Sequence, residues 1–520
     1  MNTVRKKLPL GIQTLSEIIS GGYYYVDKTA LALQLIDKGK YYFLSRPRRF
    51  GKSLFLDTLK EIFEGNQALF AGLAIHDHWD WSQRFPVIRI NFAVASLRDS
   101  ADLARLLHQQ LEDHERQFNL PARYPDQRSR FSDLILRLHQ QTGQRVVVLV
   151  DEYDKPILDK IEDRAIARAM RDDLKDFYSV IKGQDAYIRF AFLTGVSKFS
   201  KVNLFSGLNN LTDITLDPRY SALCGYTDAD IDTVFAPELP GLDRGEIRHW
   251  YNGYNWRGTS VYNPYDVLLL FDRREFKSWW FETGSPGFLI KLLAEQGWFT
   301  PDLAAFSTDD EIISSFDVDD ITPEALLFQT GYLTIHHVDQ SPYGTWDYTL
   351  GYPNREVAVS LNSLLLASYT STMPKSRQHR KSLGKLLRAH DTAGMKELFQ
   401  SFFSSIPHAW YDNNPISRYE GYYASVFYSY FAALGYDCRV EDASNHGRID
   451  MTLILPDRIY LFEFKVVELL PEGRALQQIL DKGYADKYRQ HGLPISLVGV
   501  EFSREARNVV GFETAVIENA

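Results

Sequence analysis

The stretch Tyr41-Tyr-Phe-Leu-Ser-Arg-Pro-Arg-Arg-Phe-Gly-Lys-Ser-Leu-Phe-Leu-Asp-Thr-Leu59 constrains this chain most, because it reads as strand, loop and helix in direct succession. Tyr41 to Leu44 is an apolar run of strand length. Leu54, Leu56, Leu59 and Phe63 continue beyond the loop at mostly helical intervals. Between them lies Gly51-Lys52-Ser53. At a helix N-terminus, unpaired backbone N–H groups and the macrodipole favour bound phosphate. Lys52 would reach the terminal phosphates of ATP, and the Ser53 hydroxyl would ligate Mg²⁺. Arg46 stands where the pattern G-x-x-x-x-G-K-[ST] has its first glycine, so the opening turn must use ordinary backbone angles. Arg46, Arg48 and Arg49 keep the loop basic, with Arg49 a candidate nucleotide ligand beside Gly51.

A second motif, Arg145-Val-Val-Val-Leu-Val-Asp151-Glu152-Tyr-Asp154, supports the first. Its apolar, mostly β-branched run reads as a strand buried on both faces, as in a parallel sheet. Two carboxylates follow at the C-terminal end, where ligands bind in open α/β sheets. Asp151 is placed to hold Mg²⁺ directly or through water, and Glu152 to orient or deprotonate the attacking water. A solvated acidic turn is the plain alternative; the upstream Gly-Lys-Ser argues against it.

Further strands are expected at Phe85 to Phe92 and Tyr187 to Leu193, and helices at Ala101 to Phe118 and Arg164 to Lys182. Asp27 is expected to cap a helix that begins beside it. Thr194, at the tip of its strand, is either a polar sensor facing the γ-phosphate or an ordinary strand end. Alternating strands and helices make residues 1–215 a parallel α/β sheet domain.

At 520 residues the chain exceeds a single core and suggests two or three domains. A net charge of −9 argues against a uniformly basic nucleic-acid coat. Cys224 and Cys438 make neither a metal-ligand spacing nor a disulfide framework, which points to a reducing compartment. The N-terminal residues lack a signal-peptide core, and no apolar run is long enough to span a bilayer, so a cytoplasmic protein without membrane association is expected.

Tyr25-Val-Asp-Lys-Thr29, Leu44-Ser-Arg-Pro-Arg-Arg-Phe-Gly-Lys-Ser53, Val150-Asp-Glu-Tyr-Asp154, Thr194-Gly-Val196 and Phe205-Ser-Gly-Leu-Asn209 together resemble the predicted AAA-type ATPase family of bacterial proteins. The resemblance implies that an arginine-rich loop without its first glycine is usual. It also implies a C-terminal domain similar to PD-(D/E)XK nucleases. AAA-type ATPases often form rings, so the resemblance leaves a homo-oligomer open without requiring one. The middle, residues 216–385, carries aromatic and glycine clusters such as Trp250-Tyr-Asn-Gly-Tyr254, Trp280-Phe-Glu-Thr-Gly284 and Gln329-Thr-Gly-Tyr332. These suit buried packing better than base stacking, and a helical lid followed by a winged-helix-like module is expected.

The C-terminal part, residues 386–520, contains an apolar helix from Tyr419 to Leu434. Gly447-Arg-Ile-Asp450-Met-Thr-Leu-Ile-Leu455 and Ile459-Tyr-Leu-Phe-Glu463-Phe-Lys465-Val follow it and read as a hairpin. Asp450 opens one strand, while Glu463 and Lys465, two apart, share a face of the other. Two carboxylates from adjacent strands can hold Mg²⁺ or Mn²⁺ against a scissile phosphate, and a lysine beside them can orient water or neutralise charge. A solvated edge strand is the alternative. The set resembles the D…E-x-K core of the PD-(D/E)XK superfamily, in α/β topology. Glu420 resembles the acid that some members carry on the preceding helix, and Gln478 the glutamine on the helix after the core.

The expectation is therefore an ATPase controlling a metal-dependent nuclease acting on DNA. The alternative is a nucleotide-switched module that binds DNA or protein through a catalytically silent nuclease-like domain.

Overall fold

The structure, a computed structural model, describes residues 5–198, 210–281, 287–295, 298–309, 313, 318–319, 321–342, 344–370, 373–404, 420–444 and 447–518. Residues 205–209 of the family resemblance lie outside them. The chain forms two compact units, one of residues 1–284 and 307–354, the other of 285–306 and 355–520.

In the first unit, strands β1 (Tyr41–Ser45), β2 (Val87–Asn91), β3 (Val146–Asp151), β4 (Ile188–Gly195) and β5 (Thr212–Asp213) form one parallel sheet in the order β2-β3-β4-β1-β5. Every residue of β1 and β3 is buried, which is why both read as apolar runs rather than alternating ones. Helices Lys52–Phe63, Ser100–Gln117, Gln127–Thr142 and Arg164–Gly183 link the strands; Gln127–Thr142 is not among the elements expected from the sequence, while the expected strands and helices differ from those observed by one or two residues at their ends. Strand β4 pairs with both β1 and β3, with Ser45 opposite Gly195 and Val150 opposite Leu193. The sheet therefore brings the phosphate loop, the acidic pair and Thr194 to one edge.

Asp27 does not occupy the N-cap of helix Thr29–Lys38; Lys28 does, without a side-chain cap bond. From one residue earlier, the Asp27 carboxylate accepts from Thr29 N at 2.8 Å and from Ala74 N at 2.7 Å, fastening the helix start to a distant loop.

The rest of this unit is built from short helices, among them Asp228–Thr233, Arg244–Tyr251, Pro264–Arg273 and Pro323–Thr330. A small sheet adds β6 (Phe306–Asp309), β7 (Thr334–Gln340) and β8 (Trp346–Gly351), in the order β6-β8-β7. Tyr251, Tyr254, Trp256, Tyr262 and Trp280 are all buried, so the aromatic clusters serve packing.

The second unit holds a mixed sheet of β9 (Asp437–Ser444), β10 (Gly447–Ile454), β11 (Ile459–Val467), β12 (Ile495–Ser503) and β13 (Asn508–Ile517), in the order β13-β12-β11-β10-β9. The expected hairpin is β10–β11, and β11 runs parallel to β12 across helix Arg474–Lys482. Alternation along β11 assigns its two faces. Phe462 and Phe464 pack against Phe431 and Phe427 of helix Glu420–Ala432, each pair with ring centroids 5.1 Å apart. Leu461 instead clusters with Ile479 of helix Arg474–Lys482, so Glu463 and Lys465 share that second face. Among the described residues, no helix is long and apolar enough to cross a membrane.

Candidate functional site

Gly51 is the N-cap of helix Lys52–Phe63 and has a φ of 92°. Apart from Gly51 and its two chain neighbours, no atom of the described residues lies within 4 Å of where a Cβ would stand, so the left-handed backbone, not space, selects glycine here. Gly51, Lys52, Ser53, Arg49 and Glu152 all line a cavity of about 390 Å³, closed in part by Tyr226 and Pro264. Lys52 is nearly buried, and its Nζ donates to the carbonyls of Arg46 and Pro47, each at 3.0 Å. Arg49 has a φ of 70° and sets its guanidinium 4.5 Å from the Tyr265 ring centre.

Arg46 explains how the loop manages without its first glycine. Its guanidinium, fully buried, donates to the carbonyls of Ser45 (2.8 Å), Thr215 (3.0 Å) and Tyr220 (3.3 Å), and lies 4.0 Å over the Trp256 ring. Burial draws its pKa down to about 10, so it remains a cation at neutral pH. The residue points away from phosphate chemistry and nails the loop's opening turn to the core. Residues far along the chain hold the same turn: Trp280 Nε1 donates to Arg48 O at 3.1 Å, and a Cβ at Gly331 would stand 2.6 Å from Pro47 Cγ. The Gln-Thr-Gly-Tyr cluster thus has glycine where the loop presses against it.

Asp151 is fully buried at the end of β3. Its Oδ1 accepts from the Thr194 hydroxyl at 3.2 Å, while Oδ2 has no hydrogen-bond partner among the described residues. A buried carboxylate oxygen without a donor is an acceptor in need of a cation or water, which fits a Mg²⁺ ligand. Asp151 and Thr194 lie behind the cavity wall; Glu152 is on it, held at a φ of 50° that few non-glycine residues adopt. Asp154 fixes this turn, accepting from the backbone N–H and the hydroxyl of Ser197, both at 2.6 Å. Its burial raises its pKa. Asp57 and Arg89, which carry no motif signal, complete the surroundings of Asp151: Arg89 Nη1 is 3.2 Å from Asp57 Oδ1, and Nη2 is 3.7 Å from Asp151 Oδ2.

In the second unit, backbone pairing of β10 with β11 ends at Met451 and Phe462. Just beyond, the Asp450 carboxylate takes the place of a backbone acceptor, receiving Phe464 N at 2.7 Å. Glu463 is 1% exposed and lies at the same point of the sheet. Its Oε1 accepts from Gln478 Nε2 and stands 3.2 Å from Lys465 Nζ, while Oε2 is buried without a hydrogen-bond partner among the described residues. Burial, and secondarily the Asp450 charge, push the Glu463 pKa up to about 7. Asp450, Glu463, Lys465 and Gln478 are therefore gathered in one cluster. The orphaned oxygen beside a second carboxylate fits a divalent cation. Glu420 opens helix Glu420–Ala432, but its side chain lies outside the described residues; that helix packs on the opposite face of β11.

Gln478 owes its position to a residue without a sequence signal. Glu501 on β12 is buried, and its carboxylate accepts four backbone N–H groups, those of Glu472, Gly473, Arg474 and Ala475. This caps helix Arg474–Lys482 and holds its Gln478 face over Glu463.

Residues 9–205 match a family described as Predicted AAA-ATPase, and residues 418–512 match the PD-(D/E)XK nuclease superfamily. An uncharacterized protein in the vnfD 5′ region of Azotobacter chroococcum is 60% identical over 509 residues, covering 98% of each chain. No solved structure matches.

Proposed function

Since this chain belongs to the family of predicted AAA-ATPases with a C-terminal PD-(D/E)XK nuclease superfamily domain, we propose that it hydrolyses ATP in its first unit to license metal-dependent cleavage of DNA in its second. The observation that carries the nuclease reading is the buried, unpartnered Glu463 Oε2 within a cluster that also contains Asp450 and Lys465. On β11 Glu463 and Lys465 interrupt an otherwise apolar strand, and a buried carboxylate oxygen left without a donor there is costly unless a ligand takes it.

At the cleavage site, Asp450 and Glu463 would hold Mg²⁺ or Mn²⁺, which when bound supplies positive charge against the phosphodiester. Gln478 donates to Glu463 Oε1 and so leaves Oε2 as the ligating atom. Lys465 Nζ lies 3.2 Å from Glu463 Oε1, placed to orient water and to neutralise charge gathering on phosphate oxygens. In the first unit, Lys52 exchanges the carbonyls of Arg46 and Pro47 for ATP phosphates, and Arg49 and the helix N-terminus add positive potential. Ser53 and Asp151 would hold Mg²⁺ there. Glu152, on the cavity wall, takes the proton of the attacking water, and Thr194 steadies Asp151.

The test is cleavage of linear, circular and single-stranded DNA with Mg²⁺ or Mn²⁺, with and without ATP, comparing the unaltered chain with Lys465→Ala and Lys52→Ala. ATP-dependent cutting lost in both variants supports the reading. Metal- and ATP-independent cutting, or cutting that survives Lys465→Ala, overturns the site assignment. No cutting together with tight ATP-dependent DNA binding favours a switched binding protein.

A further inference from the structure

Arg89 sits where a cation would compete with the metal of the first unit. It pairs in register with Leu149, two residues before Asp151, so both side chains leave the sheet on one face. That face is covered by helix Lys52–Phe63, whose Asp57 follows Ser53 by four residues and so lies one turn below it. Arg89 bridges the two: Nη1 is 3.2 Å from Asp57 Oδ1, and Nη2 is 3.7 Å from the unpartnered Asp151 Oδ2. The second contact is too long for a hydrogen bond, and Arg89 Nε is buried with no partner among the described residues. The guanidinium is thus firmly tied on the Asp57 side and loosely offered on the Asp151 side. Asp57 is itself anchored, its Oδ2 accepting Leu15 N at 2.7 Å.

The geometry points to Arg89 as a positioning residue that sets how tightly the nucleotide site takes its divalent cation, with Asp57 holding it off Asp151. The inference rests on the nucleotide reading of the first unit. Without metal, Arg89 offsets a buried carboxylate that would otherwise stand alone. A divalent cation at Asp151 meets that guanidinium as a like charge, which weakens its binding. The Asp57 tether limits the competition by keeping Arg89 at ion-pair rather than hydrogen-bond distance.

Two substitutions then act with opposite sign. Arg89→Met removes the competitor and tightens divalent-cation binding roughly tenfold. Asp57→Asn weakens the tether, lets Arg89 close on Asp151, and loosens binding by a similar factor. Arg89→Lys keeps the charge and stays near the unaltered value. Loss of packing alone would weaken binding in every variant. The measurement is Mn²⁺ titration by electron paramagnetic resonance on the full chain with a non-hydrolysable ATP analogue bound. An Asp450→Asn background silences the second unit's carboxylate pair. If the chain with Arg89 intact shows no analogue-dependent Mn²⁺ site, the nucleotide reading itself fails. If that site is present but Arg89→Met leaves it unchanged or weakens it, the role of Arg89 is overturned; should that variant fail to fold, Arg89→Gln, which also removes the charge and should likewise tighten binding, decides by the sign of its shift.

Discussion

Arg46 shows how a residue that breaks a pattern can be the one that makes the pattern work. Its three carbonyl acceptors and its stack on Trp256 replace the freedom a glycine would supply. Restoring the consensus with Arg46→Gly is therefore expected to lower stability by about 3 kcal/mol, since it strands buried carbonyls. ATP affinity should fall with it. Denaturant unfolding and fluorescent-nucleotide titration check both; a tighter nucleotide complex would refute the anchoring role. Glu463 supplies a prediction in pH. Its carboxyl binds a proton more tightly in the folded chain, near pH 7, than at its ordinary value of 4.5. The stability tied to that proton is complete below about pH 4.5 and is lost as pH rises through about 7. With metal chelated, Glu463→Gln should flatten this decline and unfold at higher denaturant than the unaltered chain at pH 8. Parallel curves for the two proteins from pH 5 to 8 would show that burial does not hold the proton.

At the scale of elements, legibility followed periodicity and local chemistry. The runs of β1 and β3 are apolar on every residue because both faces are covered, and they are visible in sequence for that reason. The period of two along β11 likewise places Glu463 and Lys465 on one face from sequence alone. What stayed hidden depends on packing between segments far apart in the chain. Trp280 and Gly331 hold the phosphate loop from more than two hundred residues away. Asp57 and Arg89 meet only because a helix covers β2 and β3. The Glu501 cap is the clearest case, since a glutamate on a strand gives no hint that it will satisfy four N–H groups at and just before the start of a neighbouring helix. Glu501→Ala should cost about 2 kcal/mol through those uncapped groups. It should also weaken Mn²⁺ binding at the Asp450–Glu463 pair proposed to hold it, by releasing Gln478 from Glu463. Calorimetry with Mn²⁺ checks this: the variant should retain its fold at 20 °C yet bind the metal more weakly.

For the molecule as a whole, neither compact unit is a continuous piece of sequence. The second takes in residues 285–306 before the first has been completed by 307–354. Within the second unit, helix Gly287–Glu295 packs on helix Arg355–Thr370, which in turn packs on Glu420–Ala432. Val357, Leu361 and Leu365 are buried in that arrangement. A fragment of residues 386–520 lacks helix Arg355–Thr370 and most of Met373–Arg388, and should be less stable than one of 355–520, by on the order of 2–5 kcal/mol for each large apolar side chain missing from the core. Equal denaturant midpoints for the two fragments would show the helices to be dispensable. The interleaving also has a meaning in time. A ribosome releases Leu289, Ile290 and Leu293, which end up buried, well before it has made the helix Arg355–Thr370 on which they pack. At ordinary rates of synthesis the wait is on the order of several seconds. During it the nascent chain carries an uncovered apolar helix, so yield of the native protein should depend on chaperones that shield such segments and fall when translation is slowed between those two points.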